Sequence, residues 1–252
     1  MKHSGKSVKI YRYAAMFALV FLVCSMAVPP ALGAPDDVVK SVFGDNTQTL
    51  DIVILLTVLA LIPTLLVCLT AFTRIVIVLG FIKSAIGMQN VPPTQVIISL
   101  ALILDFFVMS PVISQINQTA YVPYSQGQIT LEEFGKQAMV PVREFMLKQT
   151  YKSDLDFFAK LDKLENVEDV SQIPDHDVIP AFMTSELKRA FQIGFFLYIP
   201  FIVIDMVVAS TLMAMGMMML PPAMISLPFK VLLFVLVDGW TLTLGTLIQS
   251  FG

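Results

Sequence analysis

The chain has 252 residues, of which 56% are hydrophobic and 14% are charged. Soluble domains usually carry about 25% charged residues, so this composition is typical of a membrane protein. A net charge of −3 provides no basic field for nucleic acid, and two histidines with two cysteines cannot build a disulfide framework or a Cys/His metal site.

The first 33 residues have the order of features that marks a secretory signal peptide. A basic flank precedes an apolar stretch at 14–28, and small residues surround the bond between Gly33 and Ala34. This pattern predicts cleavage at Gly33–Ala34. An uncleaved transmembrane helix is the alternative, but the stretch is short for a span of about 20 residues and Pro29–Pro30 ends it.

Four apolar segments follow, each near or above the roughly 18 residues that identify a candidate membrane-spanning helix. Pro63 interrupts the first segment, Pro111 closes the second and Pro200 bends the third. Neighbouring helices can satisfy the backbone groups that such prolines free. We therefore predict an all-α fold of membrane-associated helical hairpins, with apolar segments at about 52–72, 96–113, 190–220 and 231–248.

A polar insert separates the second apolar segment from the third. Residues 114–189 hold eight Lys and Arg against twelve Asp and Glu, a net charge of −4. Thr130 and Glu133 form the pattern of a capping box, and apolar residues then recur at helical spacing. A second helix is predicted to begin at Ser153, with Asp156 at the reciprocal position. The insert is either a solvated pair of amphipathic helices or a subunit contact.

Charges in the short connections predict an orientation. The first connection carries Arg74 and Lys83 without an acid, and the last carries Lys230 alone. Such connections favour the cytoplasm, so the acidic insert should lie outside, in agreement with an exported N-terminus. The predicted organisation is a signal peptide at 1–33, a first hairpin region at 34–113, an extracytoplasmic insert at 114–189 and a second hairpin region at 190–252.

Three acids lie inside apolar runs: Asp105, Asp205 and Asp238. An uncompensated charge in a membrane costs about 2.5–3.5 kcal/mol on insertion scales, so each should face protein or water. A proton relay and pairing between helices both fit, and we favour pairing because the acids do not stack along one helix. Lys230 is predicted to anchor a charged contact between subunits, with Glu186 and Asp205 as candidate partners.

The motifs of common enzymes do not occur in the sequence. A glycine-rich phosphate loop, an HExxH motif and a nucleophile elbow are all missing, and one histidine, His176, survives signal removal. The sequence therefore argues against a hydrolase or an ATPase. It predicts no catalytic residues, no cofactor and no metal site.

Two stretches resemble the signature segments of the FliP family of flagellar biosynthesis proteins: PAFMTSEL at 180–187 and PPAMISLPFK at 221–230. Residues 68–109 match as well, so the resemblance covers nearly all of the mature chain. It implies a subunit of the type III protein export gate, in the bacterial inner membrane at the flagellar basal body. In that family the hairpins are said to form a helical cone largely above the membrane plane, where apolar segments face sister subunits.

The resemblance also implies partners. A homo-oligomer of about five copies would join FliQ-like and FliR-like gate subunits and further membrane proteins of the export apparatus. Together they would form a closed pore through which unfolded flagellar subunits leave the cytoplasm. The insert would then lie on the periplasmic side.

Six methionines occur within residues 213–224, beside two prolines. Methionine is unbranched and polarizable, so several methionines can repack around irregular shapes, as a pore that closes yet passes varied chains requires. The methionine gasket of the family maps onto Met217, Met218 and Met219, on a turn formed because the prolines end the helix. The rest of the pore loop is predicted to comprise Met213, Met215, Gly216, Pro221, Pro222 and Met224.

Other interpretations of the methionines remain open. Core filling is an ordinary role, although well-specified cores use methionine sparingly. Thioether ligation of Cu(I) would make the protein a methionine-lined copper permease, but such a site normally recruits cysteine or histidine. The protein could also be a purely structural nucleus of the export complex, with the pore lined by its partners.

Overall fold

The computed structural model describes residues 48–88, 91–163, 173–217 and 219–252. All regular secondary structure in these ranges is helical, which confirms the predicted all-α class for this part of the chain. The predicted signal peptide and its cleavage site at Gly33–Ala34 lie outside the described residues, and so does Met218.

The described helices follow one another along the chain, and a π-helical segment at Asn117–Tyr121 joins the third helix to the fourth. In chain order they are α1 (Gln48–Leu69), α2 (Phe72–Ile86), α3 (Thr94–Ile116), α4 (Val122–Ser125), α5 (Leu131–Gln149), α6 (Lys152–Leu161), α7 (Asp175–Ala214), α8 (Pro222–Leu236) and α9 (Gly239–Gln249).

Two continuous helical stretches among the described residues are long and apolar enough to cross a membrane: Thr94–Ser125 and Asp175–Ala214. Two pairs of consecutive helices reach that length and apolarity only when each pair is counted as one span. These pairs are Leu59–Leu69 with Phe72–Ile86, and Pro222–Leu236 with Gly239–Gln249. The described chain thus offers two candidate spans, or up to four if each pair counts as one.

The boundaries of the helices differ from the boundaries of the predicted apolar segments, because a helix can continue beyond its apolar residues. Pro111 was expected to close the second segment, yet it lies inside α3, which continues to Ile116. The helix expected to begin near residue 190 begins at Asp175. Its first turns are polar and belong to the insert, so a hydropathy pattern cannot detect them.

The chain divides into two compact units, Met1–Leu65 and Leu66–Gly252. In the first unit the structure describes only the beginning of α1, where large apolar side chains such as Leu56 and Leu61 are exposed. The second unit contains two buried apolar clusters and every side chain discussed below.

One of these clusters, the insert cluster, joins α5 and α6 to the first half of α7. Its buried members include Met146, Leu155, Val178 and Phe182. The other, the central cluster, joins α2, α3, α8 and α9 to the second half of α7. Because the 40 residues of α7 extend about 60 Å at 1.5 Å per residue, this single helix serves both clusters.

Helices α2 and α7 pack closely at Gly194. A Cβ atom at this position would lie 2.3 Å from the ring of Phe81, so a larger residue would displace this ring or the helix that carries it. Phe81 also meets Phe191 of α7 edge to face, with ring centroids 5.4 Å apart. The glycine therefore sets the approach that buries the polar residues of α2 described below.

The predicted capping box of α5 is confirmed. The backbone N–H of Glu133 donates to Thr130 Oγ1 at 3.3 Å, and the N–H of Thr130 donates to Glu133 Oε2 at 2.8 Å. The hydrogen bond from the Thr130 backbone lowers the pKa of the Glu133 carboxyl. The predicted start of the next helix at Ser153 is wrong, because Tyr151 precedes α6 and its N–H donates to Ser185 Oγ on α7.

Candidate functional site

The methionine-rich segment spans the end of α7, a loop, and the start of α8. Gly216 has a φ of 76°, its N–H donates to Met213 O at 3.0 Å, and the N–H of Met217 donates to Leu212 O at 3.0 Å. These two bonds form a Schellman motif, in which a left-handed glycine ends a helix. The helix therefore ends at Ala214 because of Gly216.

The sequence led us to expect that Pro221 and Pro222 end α7, and this expectation is wrong. Pro222 is the first residue of α8, and Pro221 is its N-cap. Proline is favoured at the first helical position because its missing N–H would have no intrahelical partner there. The prolines thus start the second helix, and Met217 and Met219 lie on the loop between two independently defined helix ends.

The described methionines of this segment, at the end of α7, on the loop and at the start of α8, are exposed in the single chain. Met219 is 99% exposed, and Met217 is the least exposed of the group at 37%. The remaining exposed members are Met213, Met215 and Met224. These side chains are therefore not part of the apolar core of their own chain.

Arg74 is the centre of the largest polar cluster described. It lies in α2, is 0% exposed, and donates from Nε to Glu186 Oε2 at 2.8 Å. A second bond joins it to Glu186 Oε1, and others reach Gln149 Oε1 at 3.1 Å and Ser250 O at 2.9 Å. The guanidinium carbon lies 3.8 Å from the centroid of the Phe251 ring. One cation thus joins α2, α5, α7 and the residues after α9.

Three charged residues that were expected on connections between helices lie inside helices. Arg74 and Lys83 both lie inside α2, and Lys230 lies inside α8. Lys83 Nζ donates to Thr94 Oγ1 at 3.2 Å across the turn to α3. The charges on which the predicted orientation depended are therefore helix residues, two of them buried, and not loop residues.

Lys230 pairs with one of its two candidate acids, within the chain. Its Nζ donates to Asp205 Oδ2 at 2.6 Å, and Ser226 Oγ donates to Asp205 Oδ1 at 2.5 Å. These bonds join α8 to α7. Glu186, the other candidate, is engaged by Arg74. The Lys230 side chain is buried, whereas Asp205 remains 37% exposed.

Asp105 and Asp238 have different surroundings. Asp105 is buried in α3, and its Oδ2 accepts from Thr70 Oγ1 at 3.0 Å. The backbone N–H groups of Ala71 and Phe72, at the start of α2, also interact with this carboxylate. The N-terminal end of a helix stabilises negative charge. Asp238 is exposed, at the break between α8 and α9 with a φ of 48°. Both acids thus face protein or water, as the cost of burying a charge requires.

A second buried polar cluster joins α6 to α7 in the insert. Asp154 accepts from Ser185 Oγ at 2.7 Å and from Lys188 Nζ. Burial by itself would raise the pKa of the Asp154 carboxyl, but the Lys188 and Ser185 hydrogen bonds outweigh it and hold this pKa below its ordinary value. The insert therefore contains a structural contact of opposite charges on an otherwise amphipathic pair of helices.

The role of Arg74 was not predicted from the sequence. Arg74 was placed on a connection and no particular acid was assigned to it, although "TAFTRIVIVL" surrounds it with apolar residues. Its partners could not be read from spacing, because Glu186 is 112 positions away and Ser250 is 176 positions away.

Comparison with known proteins identifies a family to which the chain is similar. The family model described as "FliP family" matches residues 55–247. The flagellar biosynthetic protein FliP of Pectobacterium carotovorum is 52% identical over 210 residues, which cover 82% of this chain and 81% of that protein. The Bacillus subtilis protein of that name is 52% identical over 81% of this chain and 93% of its own length. The Caulobacter vibrioides protein is 45% identical over 98% and 94%.

Proposed function

The chain belongs to the FliP family, and from this membership we propose that it is a pore-forming subunit of the flagellar type III export gate, sealed in the closed state by Met217, Met218 and Met219. Membership makes it a component of flagellar biosynthesis, and its apolar helices fit an inner-membrane location. The pore and the methionine seal are the proposal.

The observation that carries the seal is the exposure of apolar side chains on a loop between two fixed helix ends. The Schellman motif at Gly216 and the N-cap at Pro221 define the ends of this loop. Between them Met219 is almost fully exposed, although an exposed thioether side chain gains nothing from water. A ring of such loops, one from each subunit, would bury the methionines against one another.

Methionine suits this task because it combines apolarity with rotational freedom. Its unbranched side chain fills irregular gaps, so opposed methionines can close a pore without a single fixed geometry. A polar ring would hold water and ions, and a β-branched ring would be stiff. The seal would therefore exclude ions at rest and deform around an unfolded export substrate.

We propose that the chain assembles into a homo-oligomer of about five copies with FliQ-like and FliR-like subunits. The exposed apolar surface of the second hairpin region supports this assembly, because large exposed apolar patches on isolated subunits mark interaction sites. In the single chain the exposed residues on α7 and α8 include Phe195, Phe196, Met206, Leu232, Val235 and Leu236. Further membrane proteins of the export apparatus would surround the same assembly.

Within this assembly we assign a charged subunit contact to the Lys230–Asp205 pair. Asp205 keeps 37% of its side chain exposed after it accepts from Lys230, so its carboxylate can accept from a neighbouring subunit as well. The assignment of the insert at 114–189 to the periplasmic side depends on the predicted signal peptide and the exported mature N-terminus. We also propose the division of the mature chain into regions at 34–113, 114–189 and 190–252, which depends on the same predicted signal peptide and on the predicted apolar segments.

The seal is tested by separating side-chain size from side-chain flexibility at the three methionines. Replacement of all three by alanine leaves a void, so the closed pore should leak small ions while it still exports. Replacement of all three by isoleucine keeps the apolarity but stiffens the ring, so the pore should seal at rest and export poorly. Ion leak and export are each normalised to the assembled complex in the membrane.

Leu131→Ala is the control, because it removes an exposed apolar side chain from α5, outside the loop and outside the exposed apolar surface of α7 and α8. Equal normalised leak and export in the wild type and both triple variants would reject the seal and favour a purely structural nucleus. A lower amount of complex with unchanged normalised values would indicate ordinary packing, and specific Cu(I) binding by the loop would favour the copper permease.

A further inference from the structure

Three potential metal ligands converge where α6 ends and α7 begins. His176 Nε2 lies 3.3 Å from Asp162 Oδ2 and 4.0 Å from Asp177 Oδ1. One ligand atom from each of the three residues lies within 4.8 Å of the other two. Asp162 and His176 are 14 positions apart, so their proximity comes from the tertiary fold and not from a local motif.

Asp177 has a feature that an ordinary surface acid lacks. Its side chain is only 9% exposed, and among the described residues its Oδ2 has no hydrogen-bond partner. A buried carboxylate oxygen without a partner is unfavourable, because burial removes its water and nothing replaces it. The neighbouring acid, Asp175, is already paired with Arg143. A cation beside Asp177 would compensate this carboxylate.

We propose that Asp162, His176 and Asp177 bind one divalent transition-metal ion of the zinc type. Zinc binds imidazole nitrogen and carboxylate oxygen at about 2.0–2.2 Å, which puts tetrahedral ligands about 3.3–3.6 Å apart. The separations of 3.3 and 4.0 Å from His176, and of no more than 4.8 Å between the two carboxylates, would contract to meet this geometry, which rotation of the exposed Asp162 and His176 side chains allows. Mg²⁺ and Ca²⁺ prefer oxygen ligands, so the imidazole selects against them.

The fourth coordination position would be taken by water, because Asp162 and His176 are exposed. The ion would join the end of α6 to the first turn of α7 and close the connection between them. An ion that binds the folded chain and not the unfolded chain stabilises the fold by its binding free energy. The site would act as a clamp on the insert, independent of the methionine loop.

The proposal is tested with full-length protein that is purified in detergent without a polyhistidine tag and stripped with EDTA. Zinc chloride is titrated by calorimetry into the wild type and into Asp162→Asn, His176→Gln and Asp177→Asn. We expect one zinc ion per chain in the wild type, and an affinity at least about tenfold lower in each variant, the loss that even an outer-shell change produces. Zinc should also raise the melting temperature of the wild type but not of these three variants.

Asp156→Asn is the matched control, since it removes the same charge from an exposed position of α6 outside the cluster. It should bind zinc as the wild type does. Circular dichroism establishes that each variant keeps its helical content, and both Asp162 and His176 are exposed enough for replacement without loss of packing. Zinc binding of equal affinity in all variants would overturn the proposal, since the ion would then sit elsewhere. No zinc binding in the wild type would also overturn the proposal, and would leave the cluster as a polar contact between His176 and Asp162.

Discussion

The surroundings of Arg74 and of Met219 are opposite extremes within one compact unit. Arg74 is fully buried, and its three guanidinium nitrogens donate hydrogen bonds to Glu186, Ser250 and Gln149. Met219 is almost fully exposed, and only backbone bonds define the loop that carries it. The first environment restricts the side chain to one arrangement, and the second leaves it free to adopt many.

The difference shows how an apolar chain separates a rigid part from a compliant part. Directional bonds to a buried charge lose much of their energy when a partner moves, so the helices around Arg74 are held in one relative position. Contacts of methionine with methionine are non-directional, so many packings have similar energy. Substitutions should therefore have large effects on stability at the buried charges and smaller ones at the loop.

The largest effect is expected from Arg74→Met, which leaves Glu186 buried without its cation. Breaking a buried pair by removing one partner usually costs about 3–5 kcal/mol. We expect a strong loss of folded protein recovered in detergent and a lower melting temperature of what remains. The double variant Arg74→Met/Glu186→Leu removes both charges and should recover part of that loss.

The control for this variant is Lys136→Met, which breaks the exposed pair with Glu132 at 2.7 Å. Exposed pairs of this kind are worth about 0–1 kcal/mol, so the melting temperature should hardly change. Equal losses from Arg74→Met and Lys136→Met would show that the burial of Arg74 does not determine its contribution.

A smaller effect is expected at the Asp154 cluster, where pH provides the measurement. Because hydrogen bonds lower the pKa of Asp154 in the folded chain, the unfolded chain takes up the proton first as the pH falls. This contribution to stability is complete above the ordinary carboxyl pKa of about 3.9 and disappears as the pH drops through the lowered value.

Melting temperatures of the wild type and of Asp154→Asn should therefore differ most near neutral pH and converge in acid. At neutral pH the variant should be less stable by about 1.5–3 kcal/mol, the usual worth of a hydrogen bond to a charged group. Asp156→Asn, at an exposed position of the same helix, is the control and should follow the wild-type curve. A constant difference between Asp154→Asn and the wild type at all pH values would contradict the assignment.

The smallest effect is expected from Gly216→Ala at the methionine loop. A residue with a Cβ atom pays roughly 1–2 kcal/mol in the left-handed region, where Gly216 has a φ of 76°. No described atom lies within 4 Å of the added Cβ, so the change reports on backbone conformation alone. The melting temperature should fall slightly, and the end of α7 should become less well defined.

Gly135→Ala is the matched control, because Gly135 lies inside α5 with open space around it. Alanine is favoured over glycine in a helix by about 0.5–1 kcal/mol, so this variant should be slightly more stable than the wild type. If Gly216→Ala were also stabilising, the Schellman motif would not be what ends α7.

Sequence patterns predicted the features that depend on residues close together in the chain. The capping box was predictable because Thr130 and Glu133 are three positions apart, which is the reach of one helical turn. The family was predictable because its signature segments are contiguous. Gly216 was noted as part of the loop, but its role in ending α7 was assigned to the prolines instead.

Tertiary contacts decided the features that the patterns missed. A local cap was expected at Ser153, yet the N–H of Tyr151 donates to Ser185, which is 34 positions away. Lys230 was expected on a connection, yet it lies in a helix and its ammonium group reaches Asp205. For the start of α6 a partner distant in sequence replaced the expected local cap. For Lys230 the structure selected Asp205 of the same chain from the two candidate acids, a choice that no spacing rule makes.

The sequence by itself determined the helical class, the apolar character of the long segments, the first cap of the insert and membership of the FliP family, because each depends on composition or on neighbouring residues. Only the tertiary structure decided that Arg74 lies in a buried cluster, that Lys230 pairs within its chain, and that Asp162 approaches His176. The physical reason is that hydropathy reports how much a residue avoids water but not which group replaces that water. Packing of α7 against α2, α5, α6 and α8 makes that choice.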